Sequence, residues 1–80
     1  MKVRVDVMLK EGVLDPQGKA ISHALATLGF KGVQDVRQGK VIELDIAETS
    51  AEKAKETAKS MAEKLLANQV IEDYRVSVLS

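Results

Sequence analysis

The spacing of apolar residues alternates between two periods along this chain, and that alternation restricts its fold more than any other feature. From Lys2 to Lys10 every second residue is inward-facing and apolar, the pattern of a half-buried β-strand. From Pro16 to Leu28 the apolar residues follow the 3.6-residue period of a helix. A strand pattern returns over Val33 to Ala47, a helical pattern lies between Thr49 and Asn68, and a last strand runs from Val70 to Leu79. The predicted order of elements is β-α-β-β-α-β.

This order predicts an α+β fold of the ferredoxin-like kind. Right-handed crossovers turn it into a four-stranded antiparallel sheet with both helices on one face, in which the first and third strands are central neighbours. Residues 33–47 are predicted to form a hairpin, because Gln38-Gly39 is a turn signal with Gly39 at positive φ. Val33 and Val36 have opposite parity, which indicates a bulge or a late start in the first arm of that hairpin. The pairing also predicts that two outward basic residues of the first strand lie near two acidic residues of the third: Lys2 and Arg4, with Glu43 and Asp45.

The predicted helices have residues at their ends that satisfy free backbone groups. Asp15 can cap the first helix with its carboxylate, and Pro16 suits the first helical position because it lacks an N–H group. Gly29 suits a left-handed end of that helix. The stretch 49–52 fits a capping box that begins at Thr49 and includes Glu52, and Asn68 is predicted to end the second helix in the left-handed conformation.

Composition excludes several functions. The chain has 80 residues, a size that predicts a single domain over residues 1–80. It has no cysteine, hence no thiol nucleophile, thiolate zinc site or disulfide. Its 12 basic and 12 acidic residues cancel, so the field that attracts nucleic acids or acidic membranes is missing, and neither is expected as a partner. With two aromatic residues and a small core, the chain is expected to be oligomeric; with no signal pattern, it is expected to be cytoplasmic.

Individual motifs carry little catalytic chemistry. The stretch from Gly12 to Ala20 resembles a phosphate-binding loop only loosely, because its glycine spacing, its lack of a hydroxyl residue and the proline all conflict with that loop. His23 is predicted to lie on the exposed side of its helix. Arg37 and Lys40 flank the predicted turn and are interpreted as a solvated pair rather than an anion site. Glu72 has inward parity and therefore needs a partner.

Three segments together resemble one protein family. The first is Leu9-Lys10-x-x-Val13-Leu14-Asp15-Pro16-Gln17-Gly18-x-Ala20, the second is Val33-x-x-Val36-Arg37-x-Gly39-Lys40, and the third is Leu65-Leu66-Ala67-Asn68-x-Val70-Ile71-Glu72-x-Tyr74. In this order and spacing they resemble the PurS subunit of phosphoribosylformylglycinamidine (FGAM) synthase. One departure is Gln69, where many members have proline, and it loosens the turn into the last strand.

The resemblance implies a non-catalytic subunit of a three-part, ATP-dependent glutamine amidotransferase in purine biosynthesis. It implies association with itself, with a glutaminase and with a large synthetase, and a part in passing ammonia from glutamine to formylglycinamide ribonucleotide. ATP, magnesium and glutamine would be used by the complex, with no cofactor and no metal on this chain. The residues it singles out for partner contact are Asp15, Pro16, Gln17, Gly18, Arg37, Gly39, Lys40, Asn68, Glu72 and Tyr74.

Two other classes of function are weighed. The main alternative is a small-molecule-binding regulatory module of ferredoxin-like fold, with ligands seated at a dimer edge. A rise in melting temperature with an amino acid would favour it. An acylphosphatase-like enzyme is disfavoured, because the loop after the first strand lacks the required arginine.

Overall fold

The computed structural model describes residues 1–79 and contains two helices and three strands. In chain order these are β1 (Lys2–Leu9), α1 (Pro16–Thr27), β2 (Gly39–Asp45), α2 (Ala51–Met61), which continues as a π-helical segment (Ala62–Leu66), and β3 (Glu72–Val78). The α+β class is therefore confirmed. Neither helix in this part of the chain has the length and apolar character needed to cross a membrane.

The sheet is antiparallel, with the order β2-β1-β3. The predicted neighbours are confirmed, because β1 pairs with the strand that carries Glu43 and Asp45. Lys2 lies opposite Asp45 and Arg4 opposite Glu43, so charges of opposite sign face each other across the outer face. On the other side of β1, Asp6 lies opposite Arg75.

The prediction of a fourth strand is wrong for the described chain. Residues 31–38 lie outside every strand, and the chain runs directly from Gln38 into β2 without a hairpin turn. Gly39 does not have the predicted positive φ, and it pairs with Met8 as the first residue of β2. A Cβ atom at this glycine would overlap the sulfur of Met8 and the carbonyl oxygen of Val7. Close strand packing, and not a turn, is therefore the reason for glycine here.

The core consists of small side chains between the sheet and α2. Val3, Val5 and Val7 of β1 are fully buried or nearly so, and they pack against four alanines that recur along α2 and its continuation. These are Ala54, Ala58, Ala62 and Ala67. α2 lies over β1 and β3, so that half of the inner face is covered.

The end of α2 departs from the regular 3.6-residue period, which predicts a buried stripe of Ala54, Ala58, Met61, Ala62 and Leu65. In the π-helical segment the N–H group of Ala67 donates to the carbonyl oxygen of Ala62, one residue further than in an α-helix. The wider turn rotates the following side chains, so Leu66 is half-buried and Ala67 is buried. Leu65, which the regular period placed in the core, is 83% exposed.

The prediction that both helices cover one face of the sheet is also wrong. α1 contributes no residue to the core, and the chain measures 49 × 26 × 14 Å. An eight-residue strand spans roughly 27 Å and a 12-residue helix about 18 Å, so the long axis fits a helix placed beyond the end of the sheet. We call residues 16–38, meaning α1 and the extended segment that returns beside it, the arm.

The helix ends confirm two predicted caps and correct two others. Asp15 caps α1, and Gly29 has a φ of +94° just after it. α2 is capped by Ser50, whose hydroxyl accepts from the N–H group of Lys53, and not by Thr49. Glu48, and not Glu52, accepts hydrogen bonds from the free N–H groups that precede α2. Asn68 is not left-handed; the helix ends because Ala67 is extended.

Candidate functional site

The three motif segments meet at one end of the sheet. At this end β1 finishes, with Met8 paired to Gly39 of β2 and Leu9 paired to Glu72 of β3. The N–H group of Lys10 donates to the carbonyl oxygen of Ile71 at 2.8 Å, which ties the loop after β1 to the chain entering β3. Met8 and Gly39 are 31 positions apart in the sequence and Lys10 and Ile71 are 61 apart, yet each pair lies side by side here.

Asp15 connects the first two motif segments. One carboxylate oxygen accepts from the N–H group of Gly18 at 2.8 Å, the hydrogen bond expected of a helix cap. The other accepts from the N–H group of Gln38 at 2.8 Å, across 23 residues of chain. The same carboxylate therefore fixes the start of α1 to the start of β2.

These hydrogen bonds lower the pKa of Asp15 below its ordinary value. The N–H group of Gln38 is the largest cause, followed by that of Gly18, and the positive charge of Arg37 acts in the same direction. The carboxylate therefore stays ionised, and so able to accept both bonds, at neutral pH.

Close packing makes glycine necessary at position 18. A Cβ atom at Gly18 would overlap the carbonyl oxygen of Val36 and would lie 2.9 Å from a carboxylate oxygen of Asp15. The extended segment can therefore pass directly over the first turn of α1. Two further contacts secure the region: the Gln38 amide donates to the Gln17 side-chain oxygen at 2.8 Å, and the Arg37 guanidinium donates to the carbonyl oxygen of Leu9.

A cleft of about 270 Å³ lies where the three segments meet. Its apolar floor is formed by Val7 and Leu9 on the inner face of β1. Lys40 lies opposite Val7 and Glu72 opposite Leu9, so a cation and an anion stand on the two sides of that floor. The remaining lining residues are Asp15, Pro16, Gln17, Gln38 and Gly39.

The third segment is held by hydrogen bonds of its own. Glu72 accepts from the N–H group of Asn68 at 2.6 Å, which provides the partner that its inward parity required. The Asn68 side chain accepts from the N–H group of Val70 at 3.1 Å, a local turn that replaces the left-handed cap. The Tyr74 hydroxyl donates to a carboxylate oxygen of Glu63 at 2.8 Å, and this bond to an anion raises the pKa of Tyr74.

Six of the ten candidate residues line the cleft, and Gly18, Arg37 and Asn68 donate hydrogen bonds to residues that line it. The sequence-based prediction did not include two of their partners. Tyr74 is the exception, because it does not line the cleft and its hydroxyl donates to Glu63 of the π-helical segment. Gln38 was treated only as a turn residue, although its backbone and side chain both bind the α1 start. No pattern in the sequence marks Glu63 as the partner of Tyr74. His23 is exposed, as predicted.

The side chains at this end of the sheet are suited to holding segments of the chain together and to presenting the cleft as a binding surface. Within residues 1–79, no group of three or more His, Cys, Asp or Glu residues is placed to hold a metal ion. The carboxylates of Asp15 and Glu72 accept backbone hydrogen bonds. Their chemistry in this geometry is that of structural acceptors.

Comparison with known proteins agrees with the geometry. Residues 2–80 match the family PurS, phosphoribosylformylglycinamidine (FGAM) synthase. The chain is 57% identical over 77 residues to the Bacillus subtilis protein called phosphoribosylformylglycinamidine synthase subunit PurS, covering 96% of this chain and 90% of that protein.

Solved structures give the same result. The Methanocaldococcus jannaschii PurS crystal structure is similar with a TM-score of 0.88 and 46% identity, covering 99% of this chain and 95% of that one. A chain of the Thermotoga maritima PurLQS structure is similar with a TM-score of 0.87 and 38% identity, covering 98% and 95%. From the matched length, the identity and the shared fold, the chain belongs to the PurS family of FGAM synthase.

Proposed function

We propose that this chain bridges a glutaminase and an ATP-dependent synthetase, and that it assists the transfer of ammonia from glutamine to formylglycinamide ribonucleotide. The chain is a subunit of FGAM synthase, a ligase complex of purine biosynthesis, and is itself non-catalytic. Ammonia released into water escapes or becomes protonated, so a complex that holds two active sites in register has a physical purpose.

The proposal rests on one observation. The three motif segments of the family meet at one end of the sheet, where side-chain hydrogen bonds hold the backbone in place beside an open cleft. The carboxylates of Asp15 and Glu72 accept backbone hydrogen bonds, and the remaining charge at the cleft belongs to Lys40. The Thermotoga maritima chain comes from a structure named PurLQS, and we extend membership of such an assembly to this chain.

Self-association is part of the proposal. Leu28 is 73% exposed and Phe30 60% exposed at the end of α1. Large apolar side chains that are exposed close together are typical of surfaces that bind another protein. Because formal charges sum to zero, little repulsion opposes contact between copies. We therefore expect a dimer or a higher oligomer.

The proposed roles of the three subunits also determine which of them bind the substrates and cofactors. In this proposal ATP, magnesium and glutamine are bound by the other two subunits, and the complex works in the cytoplasm. The absence of cysteine supports the assignment of glutamine to another subunit, since a glutaminase of this type needs a thiol nucleophile that this chain cannot supply.

The test compares two nitrogen sources in a mixture of the purified glutaminase and synthetase. Adding this chain is expected to raise glutamine-dependent amidine formation several-fold while ammonia-dependent formation stays unchanged, because only the first reaction needs the two sites held together. Equal glutamine-dependent rates with and without the chain would refute the bridging role.

A variant separates contact with partner subunits from folding. Lys40→Ala removes the exposed cation at the cleft and is expected to weaken assembly with the two enzyme subunits. Lys55→Ala on the exposed side of α2 is the matched control and is expected to leave assembly unchanged. Both variants should melt like the original chain, because both lysines are exposed.

A further inference from the structure

We infer that this chain binds an α-amino acid with an apolar side chain, in a second pocket that lies beside the cleft. The pocket has a volume of about 520 Å³ and shares Leu9 and Asp15 with the cleft. Three segments enclose it: the loop after β1, the first two turns of α1 and the extended residues 34–37. The inference concerns a small-molecule site and goes beyond the proposed bridging role.

The charges that line the pocket balance one another. Three basic and three acidic residues line it: Lys10, Lys19, Arg37, Glu11, Asp15 and Asp35. A pocket lined by one sign of charge attracts simple cations or anions, whereas a balanced set favours a ligand that carries both signs. The pocket is therefore suited to a zwitterion.

Two of these charged residues already have partners within the chain. The Lys10 ammonium lies 3.9 Å from a carboxylate oxygen of Asp73. The Asp15 carboxylate accepts hydrogen bonds from two backbone N–H groups. The charges that remain to meet a ligand are then those of Glu11, Lys19 and the extended segment.

Asp35 and Arg37 of the extended segment are placed to hold the head group. Residues two positions apart in an extended chain point to the same side, roughly 6.8 Å apart. Both line the pocket, and neither forms an ion pair within residues 1–79. An ammonium group on Asp35 and a carboxylate on Arg37, both attached to one carbon atom, match this spacing and form charge-assisted hydrogen bonds.

Both side chains keep free hydrogen-bonding groups in this geometry. One Asp35 oxygen accepts from the N–H group of Val36 at 3.0 Å, which leaves the second oxygen for a ligand. The Arg37 guanidinium donates to the carbonyl oxygen of Leu9 through one nitrogen, and a guanidinium has five N–H groups. The existing hydrogen bonds therefore orient the two side chains without occupying them.

Apolar residues form the rest of the wall. Val13 and Val36 are half-buried, and Leu14 is 69% exposed although it lines the pocket. An aliphatic ligand side chain would remove part of this apolar surface from water, which favours binding. The expected ligand is therefore an α-amino acid with a side chain of about the size of leucine.

The pocket lies on a different side of α1 from its exposed apolar residues. α1 lines the pocket with Gly18, Lys19 and Ser22. On a regular helix these residues lie roughly a third of a turn away from Ile21 and Leu28. Contact between copies through the apolar side of α1 would therefore leave the pocket open.

Thermal melting at a fixed protein concentration tests the site with L-leucine and two analogues. Isocaproate lacks the ammonium group, and isoamylamine lacks the carboxylate. About 10 mM L-leucine is expected to raise the melting temperature by ~5 °C or more, as for a dissociation constant of about 1 mM. Each analogue is expected to bind about tenfold more weakly and to raise it less than half as much. No rise with L-leucine, or an equal rise with either analogue, would overturn the inference.

Asp35→Asn tests the contact with the ammonium group. Asparagine keeps an oxygen that can accept from the N–H group of Val36, so the fold is expected to be retained. By titration calorimetry, affinity for L-leucine is expected to fall about tenfold, whereas affinity for isocaproate should not change because it has no ammonium group. Glu56→Gln, on the exposed side of α2, is the matched control and should bind L-leucine like the original chain.

Three results would overturn the assignment of Asp35. These are unchanged binding of L-leucine by Asp35→Asn, an equal loss in Glu56→Gln, and a similar loss of isocaproate binding, which would show a disturbed pocket. Binding is measured on this chain alone, whereas bridging is measured by glutamine-dependent amidine formation with the two enzyme subunits. Binding of L-leucine without bridging would therefore refute only the proposed function, and bridging without binding would refute only this inference.

Discussion

The two halves of the inner sheet face have the same kind of strand but opposite surroundings. Over β1 and β3, α2 buries Val3, Val5 and Val7 against alanines, and no polar side chain is buried in the part of the chain that the structure describes. Over β2, Ile42 and Leu44 remain half-buried, while the helix that would cover them lies beyond the end of the sheet. One half is covered within the chain, and the other is open to solvent in the single chain.

The contrast also bears on how small the core of the described chain is. Within residues 1–79, seven buried residues, none larger than valine, form the core. Each additional buried methylene contributes about 0.8 kcal/mol, so covering the leucines and isoleucines of β2 and α1 in a dimer adds substantially to stability. Folding and association are therefore expected to be coupled.

The largest expected effect lies in the covered half. Ala58→Asp places an unpaired charge at a fully buried position and is expected to cost about 3–5 kcal/mol of the free energy of unfolding, enough to unfold much of the protein. Urea denaturation measures it. Ala51→Asp, at the exposed first turn of the same helix, should change stability by only a few tenths of a kcal/mol in the favourable direction. Similar losses in both would contradict the assigned core.

The next effect lies in the uncovered half. Leu28→Ala removes exposed apolar surface that is expected to be buried only in the dimer, so it should raise the dimer dissociation constant about thirtyfold, equivalent to ~2 kcal/mol. Sedimentation equilibrium measures the constant. His23→Ala, on the exposed polar side of α1, is the matched control and should leave it unchanged. An unchanged constant for Leu28→Ala would remove the apolar side of α1 from the interface.

Within the arm, Gly18→Ala gives a diagnostic sign. Alanine normally stabilises a helix by about 1 kcal/mol relative to glycine. Here its Cβ atom would overlap the carbonyl oxygen of Val36, so we expect a net loss of about 1 kcal/mol or more in thermal unfolding. Lys19→Ala, the exposed neighbour, should be nearly neutral. Stabilisation by Gly18→Ala would show that the extended segment does not lie on α1.

The smallest effect is a pH dependence at Asp15, whose carboxylate accepts from the N–H groups of Gly18 and Gln38. The pKa of Asp15 is lowered in the folded chain, so its stabilising contribution is present above the unfolded pKa and is lost as pH falls below 3.8 through the folded pKa. Asp15→Asn should melt at a lower temperature than the original chain at pH 7. The difference should shrink toward zero in acid, and melting curves from pH 7 to pH 2 measure it. A difference that persists unchanged at pH 2 would argue against an ionised Asp15 carboxylate in these hydrogen bonds.

Local patterns in the sequence predicted what short-range physics determines. The alternation in β1, the Asp15 cap and the facing of Lys2 and Arg4 toward Glu43 and Asp45 are all confirmed. The hairpin at Gln38-Gly39 was wrong, because a turn signal also fits an extended glycine that packs against Met8. The position of α1 was missed for a related reason, since an apolar stripe indicates which side of a helix favours burial but not where the helix lies relative to the sheet.

The family resemblance indicated which segments form the candidate site, but not how their residues are arranged. The family resemblance pointed to the three segments, whereas the bond from Asp15 to Gln38 spans 23 residues and leaves no periodic trace. Tyr74 pairs with Glu63 of the π-helical turn at the end of α2, and no residue pattern predicts that turn.

Hydrogen exchange of residues 33–37 tests the central contrast most directly, because their amides donate to no backbone carbonyl group within residues 1–79, and only that of Val36 donates to a side chain, Asp35. If a second copy supplies the missing half, these amides should be protected at high protein concentration and exchange quickly on dilution, while β1 stays protected throughout. Fast exchange of residues 33–37 at every concentration, in a protein whose mass is that of a dimer, would contradict the account.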